Sequence, residues 1–191
     1  MRPLLVLLLI TLSACSDSDN NNETQTSLAF ETYSSAPQSR GGDCQDTIDL
    51  EAPLITSGLG YDPENTRSQS SLINADNVSE LALNYTVATD SVSEMRGAAA
   101  VTAQAIFFTA GNQLKDINRD SGCSYWQYTN PAGSVFRSAS VLLVIGDDRQ
   151  TTVYTGDYNG NVHAVNAVDG SQRWQRFAGT DSSVHFITGG M

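Results

Sequence analysis

The chain has 191 residues, a net charge of −11 and a single lysine, Lys115. That balance argues against nucleic acid as a partner, because phosphate backbones are bound by cationic faces. The length suits one ordinary domain, and acidity alone names no partner.

The first residues are not fold. Arg2 gives a positive start, and Leu4 to Leu12 is an apolar run too short to span a bilayer permanently. It ends in Leu12-Ser13-Ala14-Cys15, which resembles the lipobox of bacterial lipoprotein signal peptides. The resemblance implies a signal peptide over 1–14, acylation of Cys15 and cleavage before it. Two or more acyl chains make a stable anchor. Ser16, rather than Asp, follows the cysteine, which points to the outer membrane of a Gram-negative cell, facing the periplasm.

Residues 15–42 are rich in Ser, Asp, Asn, Thr and Gln and read as a disordered tether. Residues 43–84 carry turns and few periodic runs, and form a lead-in segment with a first outer strand. Cys44 and Cys123 remain besides Cys15. An oxidising compartment could join them or leave two thiols.

From residue 85 the chain repeats. Ile106 to Trp126 and Thr152 to Trp174 share one pattern, with Leu114, Ile117, Asn118, Gly122 and Trp126 matching Val162, Val165, Asn166, Gly170 and Trp174. The offset is 48 residues, and a weaker copy ends at Tyr85, 41 residues before Trp126. A four-stranded unit recurring every 40 to 50 residues suggests propeller blades. One blade takes strands near 96–101, 105–110, 114–118 and 124–128. The next takes 136–145, 152–156, 162–166 and 172–177, and 184–188 begins a third. The fold class is therefore all-β, a partial β-propeller of about two and a half blades over 85–191. Ala98, Ala99 and Ala100 suit an inner strand crowded against an axis. Tyr85, Trp126 and Trp174 fill the space between neighbouring blades.

The stretch NTRSQSSLINADNVSELALNY resembles the lead-in of pyrroloquinoline-quinone (PQQ) dependent dehydrogenases. GCSYWQY, SVFRSAS and VYTGDYNGNVHAVNAVDGSQRW are most similar to the polyvinyl-alcohol dehydrogenase branch. The resemblance implies the N-terminal part of a periplasmic alcohol dehydrogenase-like lipoprotein. Too few blades are present for a complete active site. The alternative is a non-catalytic outer-membrane propeller lipoprotein acting as an assembly or binding scaffold. The partners implied are the membrane through Cys15, and further blades from another chain or from copies of this one.

Several candidate motifs read as structure. Residues 157–161, Asp-Tyr-Asn-Gly-Asn, have oxygen ligands at alternate positions but lack the later bidentate carboxylate of a calcium loop, so they read as a hairpin turn. His163 falls in a strand with an outward-facing pattern and reads as structural. No catalytic residue can be named and no metal ligands are expected. One register stands out. Eleven residues after Tyr85, Trp126 and Trp174 come Arg96, Arg137 and His185. Equal spacing puts these three at one level of successive inner strands, and a tricarboxylate such as PQQ would suit such a ring. Their other reading is pairing with acidic loops. Arg119 and Arg149 lie in turns outside this register.

Overall fold

Nine β-strands and one short 3-10 turn, Val78–Glu80, make up the regular structure of the described residues. The computed structural model describes residues 41–62, 64–68, 71–89, 95–145, 150–179 and 186–189. The expected signal peptide, most of the tether, Arg149 and His185 lie outside them.

The strands form two antiparallel sheets. The first contains β1 (Leu54–Thr56), β2 (Ala100–Thr102), β3 (Ala105–Ala110), β4 (Gln113–Asn118) and β5 (Ser124–Thr129), in that order. The second contains β6 (Val141–Ile145), β7 (Gln150–Gly156), β8 (Asn161–Asn166) and β9 (Gln172–Phe177). From β2 onward each is a meander of sequential neighbours joined by short connections, whereas β1 pairs with β2 across the long stretch 57–99. The two sheets are the two blades expected from the repeat.

Ladder register gives the equivalence at atomic level. In the first blade Phe107, Asp116 and Trp126 stand side by side across three strands. In the second, Tyr154, Ala164 and Trp174 do so. Both blades bulge at the same place in the last ladder. Gly122 and Gly170 end the turns before it, at φ of 73° and 72°. That left-handed conformation is strained for any residue with a Cβ.

Two features depart from the expected strands. Leu54–Thr56, read as turn-rich, adds a fifth strand to the first blade, although with a bulged register. The inner strands are also shorter than expected, because 97–99 and 137–140 bond sideways to the neighbouring repeat. Ser140 N–H donates to the Ala98 carbonyl at 3.0 Å, Ala139 N–H to Gly189 at 3.3 Å and Leu142 N–H to Ser57 at 3.0 Å. The segments are close at Gly97, where a Cβ would lie 2.3 Å from the Ser138 carbonyl oxygen.

The main core lies between the blades. Phe107, Leu114 and Trp126 from one sheet meet Leu142, Val153 and Val165 from the other. A smaller cluster of Phe108, Ala110 and Ile117 lies on the far face of the first blade, against Val87. Cys44 and Cys123 form a disulfide. Beside it Asp43 makes a parallel bridge to Ser124, so the lead-in lies along β5.

Candidate functional site: the blade seam and its inner end

The seam between the blades is closed by Trp126. Its indole N–H donates to the Ala167 carbonyl at 2.9 Å, and its ring lies over Gly170. A Cβ there would come within 2.7 Å of the ring, so only glycine permits the stacking. One blade upstream the same joint recurs. The Tyr85 hydroxyl donates to the carbonyl of Arg119, 48 residues before Ala167, at 2.5 Å. Tyr85 and Trp126 thus occupy the interblade positions expected for them. Trp174 is different: it remains 38% exposed.

Beneath Trp126 a polar chain crosses the seam. The Tyr128 hydroxyl donates to Gln172 Oε1 at 2.6 Å and lies 3.0 Å from His163 Nδ1. His163 Nε2 lies 3.0 Å from Asp157 Oδ2. Phe136 meets the imidazole edge-on, with ring centroids 5.0 Å apart. His163 and Asp157 are both fully buried. The outward facing read for His163 is therefore corrected. Its strand is covered on that side by the neighbouring blade, and two hydrogen bonds satisfy the ring.

Asp157 is the hub of its turn. Its carboxylate accepts the N–H groups of Asn159 and Asn161 at 2.9 Å each, and the Asn130 amide at 3.0 Å. Burial pushes its carboxyl up, but bonds from the Asn161 backbone, His163, Asn161 and Asn130 side chains outweigh that and leave it below the ordinary value. The turn reading of 157–161 holds, with amides and an imidazole meeting the oxygens that a calcium loop would use. Tyr128 is pushed up by burial and then by the Asp157 charge. Sequence inspection missed this chain. Its one legible signal was a histidine in a strand otherwise filled by Val, Ala and Asn.

A second buried carboxylate has no such support. Asp116 is fully buried, and neither of its oxygens has a hydrogen-bond partner. Its ladder neighbours are Phe107 and Trp126. Burial pushes its carboxyl up to about 9, so it is protonated at neutral pH.

At the inner end of the seam stands Arg137. Its guanidinium lies 4.7 Å above the Tyr158 ring, and Tyr158 stacks on Phe186 with centroids 4.1 Å apart. Phe186 is half-exposed. Arg96 lies exposed at the start of the preceding inner segment, which hydrogen-bonds to the one that carries Arg137. Adjacent segments therefore carry Arg96 and Arg137, and an aromatic pair not foreseen in the sequence flanks the second. Arg119 lies in a turn, half-exposed and 3.7 Å from Asp120.

Two sequential antiparallel sheets, packed face to face through Trp126, define a β-propeller of PQQ-type blades. The family model described as outer membrane protein assembly factor BamB matches residues 81–187, more than half of the chain, and the chain belongs to that PQQ-repeat family. Among solved structures, quinohemoprotein alcohol dehydrogenase from Comamonas testosteroni is similar, with a TM-score of 0.60 at 24% identity. The likeness covers 72% of this chain and 21% of that one, so the chain spans about a fifth of that structure's length. At this identity the likeness shows the fold. No curated protein matches the chain.

Proposed function

We propose that the chain is the N-terminal, blade-forming part of a periplasmic PQQ-dependent alcohol dehydrogenase-like lipoprotein, of the polyvinyl-alcohol dehydrogenase kind. The carrying observation is the guanidinium of Arg137 over Tyr158, beside the exposed face of Phe186. A planar tricarboxylate needs a cation for its carboxylates and a flat surface for its rings, and these residues fit it in both respects. Arg137 and Arg96 hold carboxylates, with His185 as the third member of the register. When bound, PQQ supplies the two-electron acceptor for an alcohol, and the protein supplies orientation and electrostatics. The two blades alone are not catalytic. The chain is exported, cleaved before Cys15, acylated there and held on the outer membrane by the tether of residues 15–42.

Calorimetric titration of the chain with PQQ tests the cofactor reading. Arg137→Ala should weaken binding ten- to a hundredfold, the loss of one charge-assisted contact of about 1.5–3 kcal/mol. Arg119→Ala should leave it unchanged. Equal effects, or no binding by the parent chain, would remove the reading. Labelling with a radioactive fatty acid should mark the parent and spare Cys15→Ala; equal labelling of both would sink the lipoprotein assignment. The family description, an outer membrane protein assembly factor, favours a second reading, an assembly or binding scaffold. On that reading PQQ does not bind and the exposed Trp174 face is the working surface.

A further inference from the structure

We propose that Cys44, Cys123 and Asp46 form a zinc site that opens when the bridge between the two cysteines is reduced. The proposal is independent of the cofactor and of the membrane anchor.

The three side chains already converge. The two sulfurs and an Asp46 carboxylate oxygen all lie within 4.8 Å of one another. Tetrahedral zinc, with bonds of about 2.3 Å to sulfur, holds two thiolates about 3.8 Å apart. The sulfurs must part once their bond is broken, and zinc takes the space between them. The Cα atoms are 5.0 Å apart, so small side-chain rotations reach that separation without moving the backbone.

Backbone pairing keeps the cysteines side by side without the covalent link. Cys44 N–H donates to the Ser124 carbonyl at 2.9 Å, and Ser124 N–H donates to the Gly42 carbonyl at 2.8 Å. The Ser121 hydroxyl donates to Cys123 Sγ at 3.1 Å, which supports negative charge on that sulfur.

The carboxylate is aimed by a further layer. Tyr125 Oη donates to Asp46 Oδ2 at 3.4 Å, and Asn118 Nδ2 donates to the Tyr125 oxygen at 2.8 Å. Asn118 Oδ1 accepts the Asp120 and Ser121 N–H groups, at 3.0 and 2.9 Å, in the turn that leads to Cys123. One asparagine thus ties the carboxylate and the second sulfur to a common frame. The second blade repeats that asparagine as Asn166, but Ser171 and Arg173 stand where Cys123 and Tyr125 stand. The repeat supplies the frame, and the first blade adds the ligands.

Two thiolates and one carboxylate select zinc over calcium or magnesium, with water in the fourth position. A dithiol passes two electrons and two protons to the S–S bond, becoming a disulfide itself and leaving two thiols. Zinc then displaces one proton from each thiol. The bridged form offers only the carboxylate and holds no zinc. Bound zinc occupies the thiolates that reoxidation needs, so it opposes return to the bridge.

The full chain carrying Cys15→Ser, which leaves only these two thiols, is reduced with dithiothreitol, freed of it under argon and titrated calorimetrically with zinc chloride. One zinc per chain is expected, and none for the unreduced protein. Asp46→Asn keeps the bridge and changes an exposed residue, so the fold stays intact; it should weaken binding about tenfold or more. Asp43→Asn, at an exposed carboxylate outside the cluster, should bind like the parent. Cobalt in place of zinc should give the absorption of a tetrahedral thiolate complex. No uptake by the reduced parent would overturn the proposal. So would uptake by the bridged chain, equal binding by Asp46→Asn and the parent, a matching loss with Asp43→Asn, or a cobalt spectrum without thiolate bands.

Discussion

Asp116→Ala should stabilise the protein, and by an amount that depends on pH. The second blade already shows the alternative, since Ala164 stands in the same register between Tyr154 and Trp174. Burial raises the Asp116 carboxyl from 3.8 to about 9. The native state therefore keeps a proton that the unfolded state releases, and stability falls as pH rises between those two values. Each unit is about 1.4 kcal/mol. At pH 5 the accumulated penalty is about 2 kcal/mol, and at pH 7 it is about 4 kcal/mol. Removing the carboxyl leaves a small void that costs about 1–2 kcal/mol at any pH. The substitution should be near neutral at pH 5 and stabilising by about 2–3 kcal/mol at pH 7. Urea unfolding of both proteins, at one protein concentration and at pH 5, 6 and 7, reads the difference directly. Parallel pH dependences would refute the reasoning, and so would a destabilised variant at pH 7.

Gly170→Ala should destabilise by several kcal/mol, because its Cβ meets the buried Trp126 ring and its φ is positive; a thermal melt measures it, and an unchanged midpoint would contradict the seam. Asp157 has its carboxyl below the ordinary value, so its contribution is present above the unfolded value of 3.8 and lost as pH falls through the lower folded value. Asp157→Asn should accordingly flatten acid unfolding below pH 4, followed by tryptophan fluorescence. Cys123→Ser should cost about 2–4 kcal/mol in chemical denaturation, since the bridge closes a long loop, with Cys44 and Cys123 separated by 79 residues.

The blades were legible because the repeat is written twice in small, strongly constrained residues. Asn118, Gly122 and Trp126 recur as Asn166, Gly170 and Trp174, and each has one geometric use that tolerates little else. The outer strands were bounded to within a residue or two for the same reason. The inner strands were overextended because an apolar stretch reads alike whether its amides bond within the sheet or to the next repeat. Leu54–Thr56 was missed because three residues are too few for a period. The seam network was invisible since Tyr128, His163 and Asp157 come from three places in the chain, and only the packing of one blade on the other brings them together. The basic register placed Arg137 and Arg96 on neighbouring segments, but not the Tyr158–Phe186 pair. That pair depends on where one turn meets the following inner segment.

The Cys44–Cys123 bridge has a mechanical consequence. Tension applied along the backbone from the N-terminal side reaches Cys44 and crosses covalently to Cys123, at the start of β5. Residues 45–122, including β1 to β4, then hang from the load path as a closed loop and carry none of it. A pull on the two ends would load β5 and the second blade, while β1 to β4 kept their ladders to one another. Reduction of one bond would expose β1 to β4 to the same force, so the bridge sets which strands of the first blade bear load.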